Sequence, residues 1–581
     1  MDKKKIKFFI PRLPFYDTGI FVPAAYYTYK TCYDIAGKNP DLLEWMPSYF
    51  LYMDQSAMWQ EFQDNPPDIV CFSLYLWNRD CLGILAQMIK EKIPSTMIVV
   101  GGPDVDHRNP NDFLTRYPHY DYVVYGDGED SFVKFIDAVL DNDLSDQRLH
   151  SIPNLIFRDS KHSVVKNAFV IYRGELYTEH SPWLHCREQF ARDCDLVKSM
   201  NMQPYAAWDS DRGCPYDCSF CDWTAGGLYH KITKRKYDFR DEIQLFADNG
   251  ATMSVTNANF GIVSRDLEIA EFIFEKIGCG QYPGFNFPGL NMAKLNKDRV
   301  EQILRLQTKY LNNIIITMAI QSMSEEVLSN IGRPSVPWED QKKIIFSLRE
   351  EGHVVNPNIE MIVGLPGETR ESWDYAMGEI LDLYPIGELR AHSWHILPGS
   401  PGARPEYQEK HGVKVYPSLV VSATRQGGVI DISRVNGILT LSQEAHSTQL
   451  VADPTAHGDY LTEEEILRLI KQESLATNGM FFVDELVWGS HNSDIEDVLY
   501  QLMSAGVVEL LLRKGYNAAI SKKMYHSLKD RMWKRACQDA DWFRKCQEIT
   551  GCVPNWIQHN GKIYMYQLAF TDPNVGLKLL S

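Results

Sequence analysis

Asp211-Arg-Gly-Cys-Pro-Tyr-Asp-Cys-Ser-Phe-Cys-Asp-Trp223 places three cysteines, Cys214, Cys218 and Cys221, in the spacing C-x3-C-x2-C. Thiolates are soft ligands that suit iron–sulfur clusters or zinc. A four-iron cluster has four corners, so three cysteines leave one iron open to a small-molecule ligand. Gly213 and Pro215 shape a tight loop around the first ligand. Phe220, between the last two cysteines, can shield a cluster or stack on a bound ring. Two other readings stand beside this one. The cysteines can hold zinc with a fourth ligand elsewhere, such as His230, or they can be three ordinary buried thiols.

Downstream of the loop, apolar runs at Thr252–Thr256, Ile314–Ile320, Asn358–Val363 and Leu389–Ile396 predict strands. Asp266–Ile277, Lys297–Leu306 and Trp338–Glu350 predict helices between them. A run of βα units fits a partial or complete parallel barrel, whose function collects at the carboxyl ends of strands. The informative residues fall there: Asn257-Ala-Asn-Phe-Gly261, Gln321-Ser322, and Glu360-Met-Ile-Val-Gly-Leu-Pro-Gly-Glu-Thr369. Ser324 is placed to cap the helix that opens at Glu325 and Glu326. Glu360 points along its strand toward the barrel interior, and a buried carboxylate there needs a partner. His395, in the last strand, is either a ligand or base or a satisfied core histidine.

Upstream, residues 1 to about 150 alternate strands (Lys5–Ile10, Asp68–Leu74, Thr96–Val100, Tyr120–Tyr125) with helical stretches such as 80–91. This implies a parallel sheet covered on both faces. Three strand ends carry distinctive turns: Ser73-Leu-Tyr-Leu-Trp-Asn78, Gly101-Gly102-Pro103 and Gly126-Asp-Gly-Glu-Asp130. In an open α/β sheet these would line one crevice. Taken alone, they fit any flavodoxin-like domain.

The cluster loop resembles that of the radical S-adenosylmethionine (SAM) enzymes. The three upstream turns, placed ahead of it, resemble the cobalamin-binding domain of one large radical SAM subfamily. The resemblance covers residues 1 to about 405. It implies a [4Fe-4S] cluster on Cys214, Cys218 and Cys221. It implies SAM contacts from Phe220, Asn259, Gln321, Glu360 and His395. It implies cobalamin contacts from Ser73, Tyr75, Leu76, Trp77, Gly101, Gly102, Pro103, Gly126, Gly128 and Glu129. Two departures matter. The subfamily element similar to Asn257–Gly261 begins with Asp, so a role needing a carboxylate at Asn257 is in doubt. No Asp-x-His occurs, so cobalt would lack a histidine below it; Trp77 or Leu76 would sit there, unless Trp77 is core packing.

Bulk properties set the remaining limits. A chain of 581 residues is too long for one core. A formal net charge of −17 argues against a partner held by nucleic-acid phosphates. No apolar run approaches the ~20 residues of a membrane span, and Met1–Ile10 reads as a first strand rather than a signal peptide. Twelve cysteines without a secretion signal suggest a reducing compartment, and so the cytoplasm. Residues 151–205 read as a connection. Residues 406–581 read as a small α+β domain, with a capping box at Thr462–Glu465 and a basic, aromatic helix over 523–548. That domain is expected to close the barrel mouth and select the substrate.

The expectation is therefore an α/β protein: an N-terminal Rossmann- or flavodoxin-like cobalamin-binding domain (1–150), a connection (151–205), a radical SAM barrel (206–405) and a C-terminal domain (406–581). The resemblance implies a cobalamin-dependent C-methyltransferase acting on a natural-product intermediate or peptide, with a flavodoxin or ferredoxin as electron donor. Two alternatives stay open: a radical cyclase or rearrangement enzyme with the same cofactors, and a zinc-binding scaffold. Neither a nucleic-acid nor a membrane partner is expected.

Overall fold

The structure of the protein is a computed structural model. It describes residues 3–12, 19–51, 55–75, 78–171, 174–224, 230–278, 280, 285–286, 297–311, 313–314, 316–355, 357–383, 388–397 and 399–413. Beyond these it describes the strand segments 415–422, 448–452, 481–482, 517–520, 553–559 and 562–568.

The first sheet has seven strands in the order Leu43–Trp45, Lys4–Phe9, Ile69–Ser73, Met97–Gly101, Tyr122–Val124, Leu155–Arg158, Val164–Lys166. The first five run parallel, and the last two are antiparallel. The alternation of side chains along a strand divides its residues between two cores. Phe8 packs against Tyr26 and Phe132 on one face, at ring separations of 5.8 and 6.1 Å. Phe9 meets Phe72 and Tyr49 on the other, at 6.1 and 5.6 Å. The central strand Ile69–Ser73 is buried at every position, as a parallel strand covered on both faces must be. The four strands expected from residues 1–150 are present within a residue or two. The sheet continues through two strands of the 151–205 connection.

The barrel is built from two parallel arcs. One orders Phe285–Asn286, Thr252–Val255, Gln203–Trp208 and Gly19–Phe21. The other orders Thr317–Gln321, Asn358–Val363, Glu388–Ser393 and Phe481–Phe482. Helices Phe239–Asp248, Arg265–Gly278, Lys297–Tyr310, Trp338–Glu350 and Arg370–Asp382 alternate with these strands. Two borrowed strands were not expected. Gly19–Phe21 comes from the amino-terminal segment, and Phe481–Phe482 comes from the carboxyl-terminal one. The strand expected over Ile314–Ile320 divides into Asn313–Ile314, paired with Val354–Val355, and Thr317–Gln321.

The carboxyl-terminal segment contributes an antiparallel sheet of His395–Ile396, Thr448–Ala452, Val415–Ser422 and Asn517–Ile520, and a hairpin of Val553–His559 with Lys562–Leu568. The capping box at 462–465 and the helix over 523–548 lie outside the described residues. Among the described residues no helix is long and apolar enough to cross a membrane.

Candidate active site

The cysteine loop leaves the carboxyl end of strand Gln203–Trp208. Asp211 and Arg212 pair antiparallel with Thr233–Lys234 and close its base. Gly213 then turns with φ +113°, a region that L side chains rarely adopt, and delivers Cys214. Cys214 and Cys218 are 3% and 2% exposed, while Cys221 is half-buried. The loop is clamped from two directions. Ser219 N–H donates to Ile331 O at 2.9 Å, and Gly402 N–H donates to Ser219 O at 2.8 Å. The Tyr407 hydroxyl bridges Ser219 Oγ and Asn330 O at 3.0 and 2.8 Å. A loop held at so many points presents its thiols in a fixed arrangement, as ligands must be.

The polar groups around these thiols are unusual. Asn259 Nδ2 donates to Cys214 Sγ at 3.1 Å, leaving its Oδ1 buried and without a partner. Gln321 takes φ +66° beside a register shift in its strand, and its Oε1 is also buried without a partner. The Arg333 guanidinium is buried, donates to Ala319 O, and lies 5.8 Å from the Phe220 ring centroid. Burial pulls its pKa below the ordinary arginine value, while a hydrogen bond to Cys218 and the nearby Cys221 and Glu360 oppose that. Arg333 Nε has no partner. Buried polar atoms in proteins are nearly always satisfied. Three orphaned atoms among residues that ring the thiols therefore fit a site that takes a polar ligand beside a thiolate-held metal centre. Backbone strain at Gln321 belongs to the same pattern.

His230, the fourth ligand of the zinc reading, is exposed. Among the described residues, the three loop cysteines included, no group of three or more His, Cys, Asp or Glu side chains converges as the ligands of one ion would, so this favours neither metal over the other.

The second crevice lies at the carboxyl ends of the first sheet. Ser73 is buried and Tyr75 is half-buried. Asn78 organises this turn: its Oδ1 accepts from Tyr75 N–H at 2.7 Å, and its Nδ2 donates to Ser73 O and Pro11 O. Gly102 takes φ +108°, and a Cβ there would meet Leu74 O at 2.4 Å, so strand packing alone demands this glycine. Gly128 is likewise packed under the Tyr29 hydroxyl. Gly101, Pro103 and Gly126 occupy the same strand-end turns. Leu76 and Trp77 lie outside the described residues.

The two crevices are joined by buried charge. Glu129, of the Gly-x-Gly-Glu turn, is ion-paired with Arg212, two residues before Cys214. Arg212 Nε also reaches Asp209 at 3.2 Å, and Arg235 holds the other oxygen of Asp209 at 2.8 Å. The guanidinium groups of Arg212 and Arg235 lie 4.5 and 4.4 Å from the Tyr177 ring. Arg212 keeps the Glu129 carboxyl below its ordinary value despite burial. On the other side, Arg108, beyond the Gly-Gly-Pro turn, donates to Ser400 O at 3.3 Å. Asp222, next to Cys221, faces Arg108, Asp104 and Asp106, and burial pushes its carboxyl up to about 7.

Of the residues that sequence reasoning singled out, Phe220 lies between two of the cysteines, Asn259 donates to Cys214 Sγ, Gln321 ends its strand, and Glu360 lies in mid-strand near Arg333. Asn257 instead binds Asp211 Oδ2 at 2.7 Å and Ser210 Oγ at 2.9 Å. Its amide satisfies a buried carboxyl that a second carboxylate would repel. The backbone of His395 pairs with Val451, and its side chain lies outside what the structure describes. Arg212, Arg235, Arg333 and Asp222 were missed. An isolated arginine carries no motif, although Arg212 and Asp222 flank the cysteine spacing itself.

Residues 211–380 match the family model described as the radical SAM superfamily. The chain is 31% identical over 367 residues to the cobalamin-dependent radical SAM methyltransferase TokK of Streptomyces tokunonensis, spanning 62% of this chain and 51% of that one. It is 29% identical over 357 residues to the 2-(S-pantetheinyl)-carbapenam-3-carboxylate methyltransferase of Streptantibioticus cattleyicolor, spanning 60% and 50%. The chain thus spans about half the length of the curated relatives it matches. The radical SAM methyltransferase TsrM of Kitasatospora setae, solved with tryptophan and a SAM analogue, shares the fold with a TM-score of 0.55 at 15% identity, over 93% of this chain and 100% of that one. Residues 211–380 thus carry the radical SAM match, and the chain is similar to cobalamin-dependent radical SAM methyltransferases over about half of their length.

Proposed function

We propose that this chain is a cobalamin-dependent radical SAM C-methyltransferase that acts on an unactivated carbon of a small natural-product intermediate or peptide. The single observation that carries the reading is the part-buried Glu129–Arg212 ion pair, which ties the Gly-x-Gly-Glu turn to the cysteine loop. A methyl carrier and a hydrogen abstractor must face one substrate carbon, and this pair fixes one crevice against the other. Cys214, Cys218 and Cys221 would hold the cluster. Asn259, Gln321, Glu360 and Arg333 would receive SAM, with Asn259 Oδ1 and Gln321 Oε1 as acceptors and Arg333 Nε as a donor. The turns at Ser73–Tyr75, Gly101–Pro103 and Gly126–Gly128 would receive cobalamin. When bound, the cluster and SAM supply homolytic hydrogen abstraction, and cobalamin supplies methyl-group carriage. The protein's own residues exclude water and orient the three partners.

Residues 1–150 are assigned to cobalamin, 206–405 to the cluster and SAM, and 406–581 to substrate selection. Cluster chemistry suits a reducing compartment, so the cytoplasm and a flavodoxin- or ferredoxin-type donor complete the proposal. Anaerobic reconstitution with iron, sulfide and cobalamin, followed by SAM, reductant and candidate substrates, tests it. A product heavier by one methyl group, formed together with deoxyadenosine, is expected. A product of unchanged carbon count would favour the cyclase reading. A colourless protein that takes up zinc and no iron would refute both.

A further inference from the structure

Arg12 stands where the first sheet meets the barrel. Its backbone N–H donates to Leu51 O at 2.8 Å, and the preceding Pro11 O accepts from Asn78 Nδ2 at 3.1 Å. The side chain is therefore carried on a fixed stem. Its guanidinium lies 5.2 Å from the ring of Phe21, on the first barrel strand, and 6.0 Å from the ring of Tyr75, in the crevice of the first sheet. Burial pulls its pKa below the ordinary arginine value, and among the described residues the influence that opposes this comes from Tyr75. Its Nε is buried without a partner.

The other arginines of this region are compensated. Arg79 pairs with Asp104 at 2.8 Å, Arg212 with Glu129, and Arg235 with Asp209 at 2.8 Å. Arg333 faces the cysteine sulfurs. Arg12 is mostly buried and has no counter-charge among the described residues; such cations in proteins are paired or bind ligands. Flat rings beside the guanidinium leave its planar fork available for two parallel hydrogen bonds, the geometry that matches carboxylate and phosphate.

We propose that Arg12 is an oxyanion anchor, holding a carboxylate or phosphate group of a ligand seated between the first sheet and the barrel. Only the ligand's identity rests on the proposed function. Two sources share this chemistry: an acidic substrate and the phosphodiester of cobalamin's nucleotide loop.

The test uses the full chain with its cluster reconstituted anaerobically. Phenylglyoxal labels accessible arginines, and peptide mass spectrometry reads the labelling of Arg12. The probes are sodium acetate, inorganic phosphate, cobalamin, and cobinamide, which lacks the nucleotide loop. Arg12 is partly exposed, so slow labelling in the free protein is expected, with several-fold protection by an oxyanion. Stronger protection by cobalamin than by cobinamide assigns the anchor to the cofactor's phosphodiester. Protection by acetate or phosphate, with the two corrins equal, assigns it to an acidic substrate. Arg12→Gln should then weaken the assigned ligand by about tenfold or more, as loss of a charged hydrogen bond does. An Arg12 that is not labelled, or that none of the probes protects, overturns the proposal. So does equal protection by the two corrins with none by acetate or phosphate, since that is coverage alone. A wild-type protein that binds no cobalamin would sink the proposed function, while the acetate and phosphate arms would still test Arg12.

Discussion

At the scale of single residues, the site is read from what its polar atoms lack. Arg333 is buried against Cys218 and closes over Phe220, so it places a positive charge beside the thiolates. A cation there favours the more negative, reduced form of a bound cluster. Arg333→Met should lower the cluster's reduction potential by on the order of 100 mV, the size expected of one nearby charge in a protein interior. Arg333→Lys should recover part of that shift. Redox titration followed by electron paramagnetic resonance checks both, and an unchanged potential in Arg333→Met would refute the charge argument. Asn257 gives a second test. Asp211 already titrates at about 6, through burial and the nearby Asp209. Asn257→Asp would set a second carboxyl 2.7 Å from it, and two such groups do not both ionise readily. The folded-state pKa of the pair rises, so stability is lost as pH rises through it. Asn257→Asp should match wild type below about pH 4 and fall below it by roughly 1–3 kcal/mol at pH 8, measured by chemical denaturation at both pH values.

At the scale of elements, helix Arg187–Ser199 packs on helix Ala24–Ala36 through a buried polar contact. Tyr27 donates to Asp193 Oδ2 at 2.6 Å, and Gln189 donates to Asp193 Oδ1 at 2.8 Å. Burial still dominates and pushes the Asp193 carboxyl up to about 6. The folded state therefore binds this proton more tightly than the unfolded chain does. Stability from this group falls as pH rises from about 4 to about 6 and then stays low, by about 3 kcal/mol in all. Asp193→Asn should remove that slope and leave the protein at least as stable at pH 7, since an amide oxygen still accepts from Tyr27. Denaturant midpoints across pH 4 to 7 decide it, and parallel curves for the two proteins would contradict it. Strands and helices of this kind were legible wherever apolar residues recur in register. The Ile69–Ser73 strand and the Trp338–Glu350 helix fall where the pattern puts them. Gly19–Phe21 was not legible, because three residues carry no period and its partner Gln203–Trp208 lies far along the chain. The buried arginines were illegible for a related reason. Their meaning comes from partners brought close only by the fold, such as Arg212 from Glu129, across 83 positions. The cysteine loop needed no such partner, because its ligands are neighbours in sequence.

At the scale of the whole molecule, the question is how one crevice is held against the other. The amino-terminal segment lends Gly19–Phe21 to the barrel and receives Arg212 against Glu129 in return. Backbone pairing ties the two parts near the amino terminus, and the ion pair ties them at the cysteine loop. Glu129 opens the helix that follows the glycine turn proposed to receive cobalamin, so the pair would transmit the position of that turn to Cys214. Replacing Glu129 with Gln keeps the shape and removes the charge. Arg212 keeps Asp209 at 3.2 Å, and Asp127 stands 4.0 Å away, so the protein should fold with a loss of roughly 1–3 kcal/mol rather than the larger cost of stranding a buried charge. Cluster assembly and cobalamin uptake should persist, but the two cofactors should no longer be held in one geometry. Hydrogen abstraction would then proceed without matched methyl transfer, and deoxyadenosine should form in several-fold excess over methylated product. A loss that was only structural would lower both products together. The magnetic interaction between the reduced cluster and cob(II)alamin offers a readout without turnover: its electron paramagnetic resonance signature should broaden in Glu129→Gln if the pair sets their separation. An unchanged product ratio with an unchanged signature would mean that the strand Gly19–Phe21 alone fixes the two parts, and that Glu129 contributes stability and nothing to positioning.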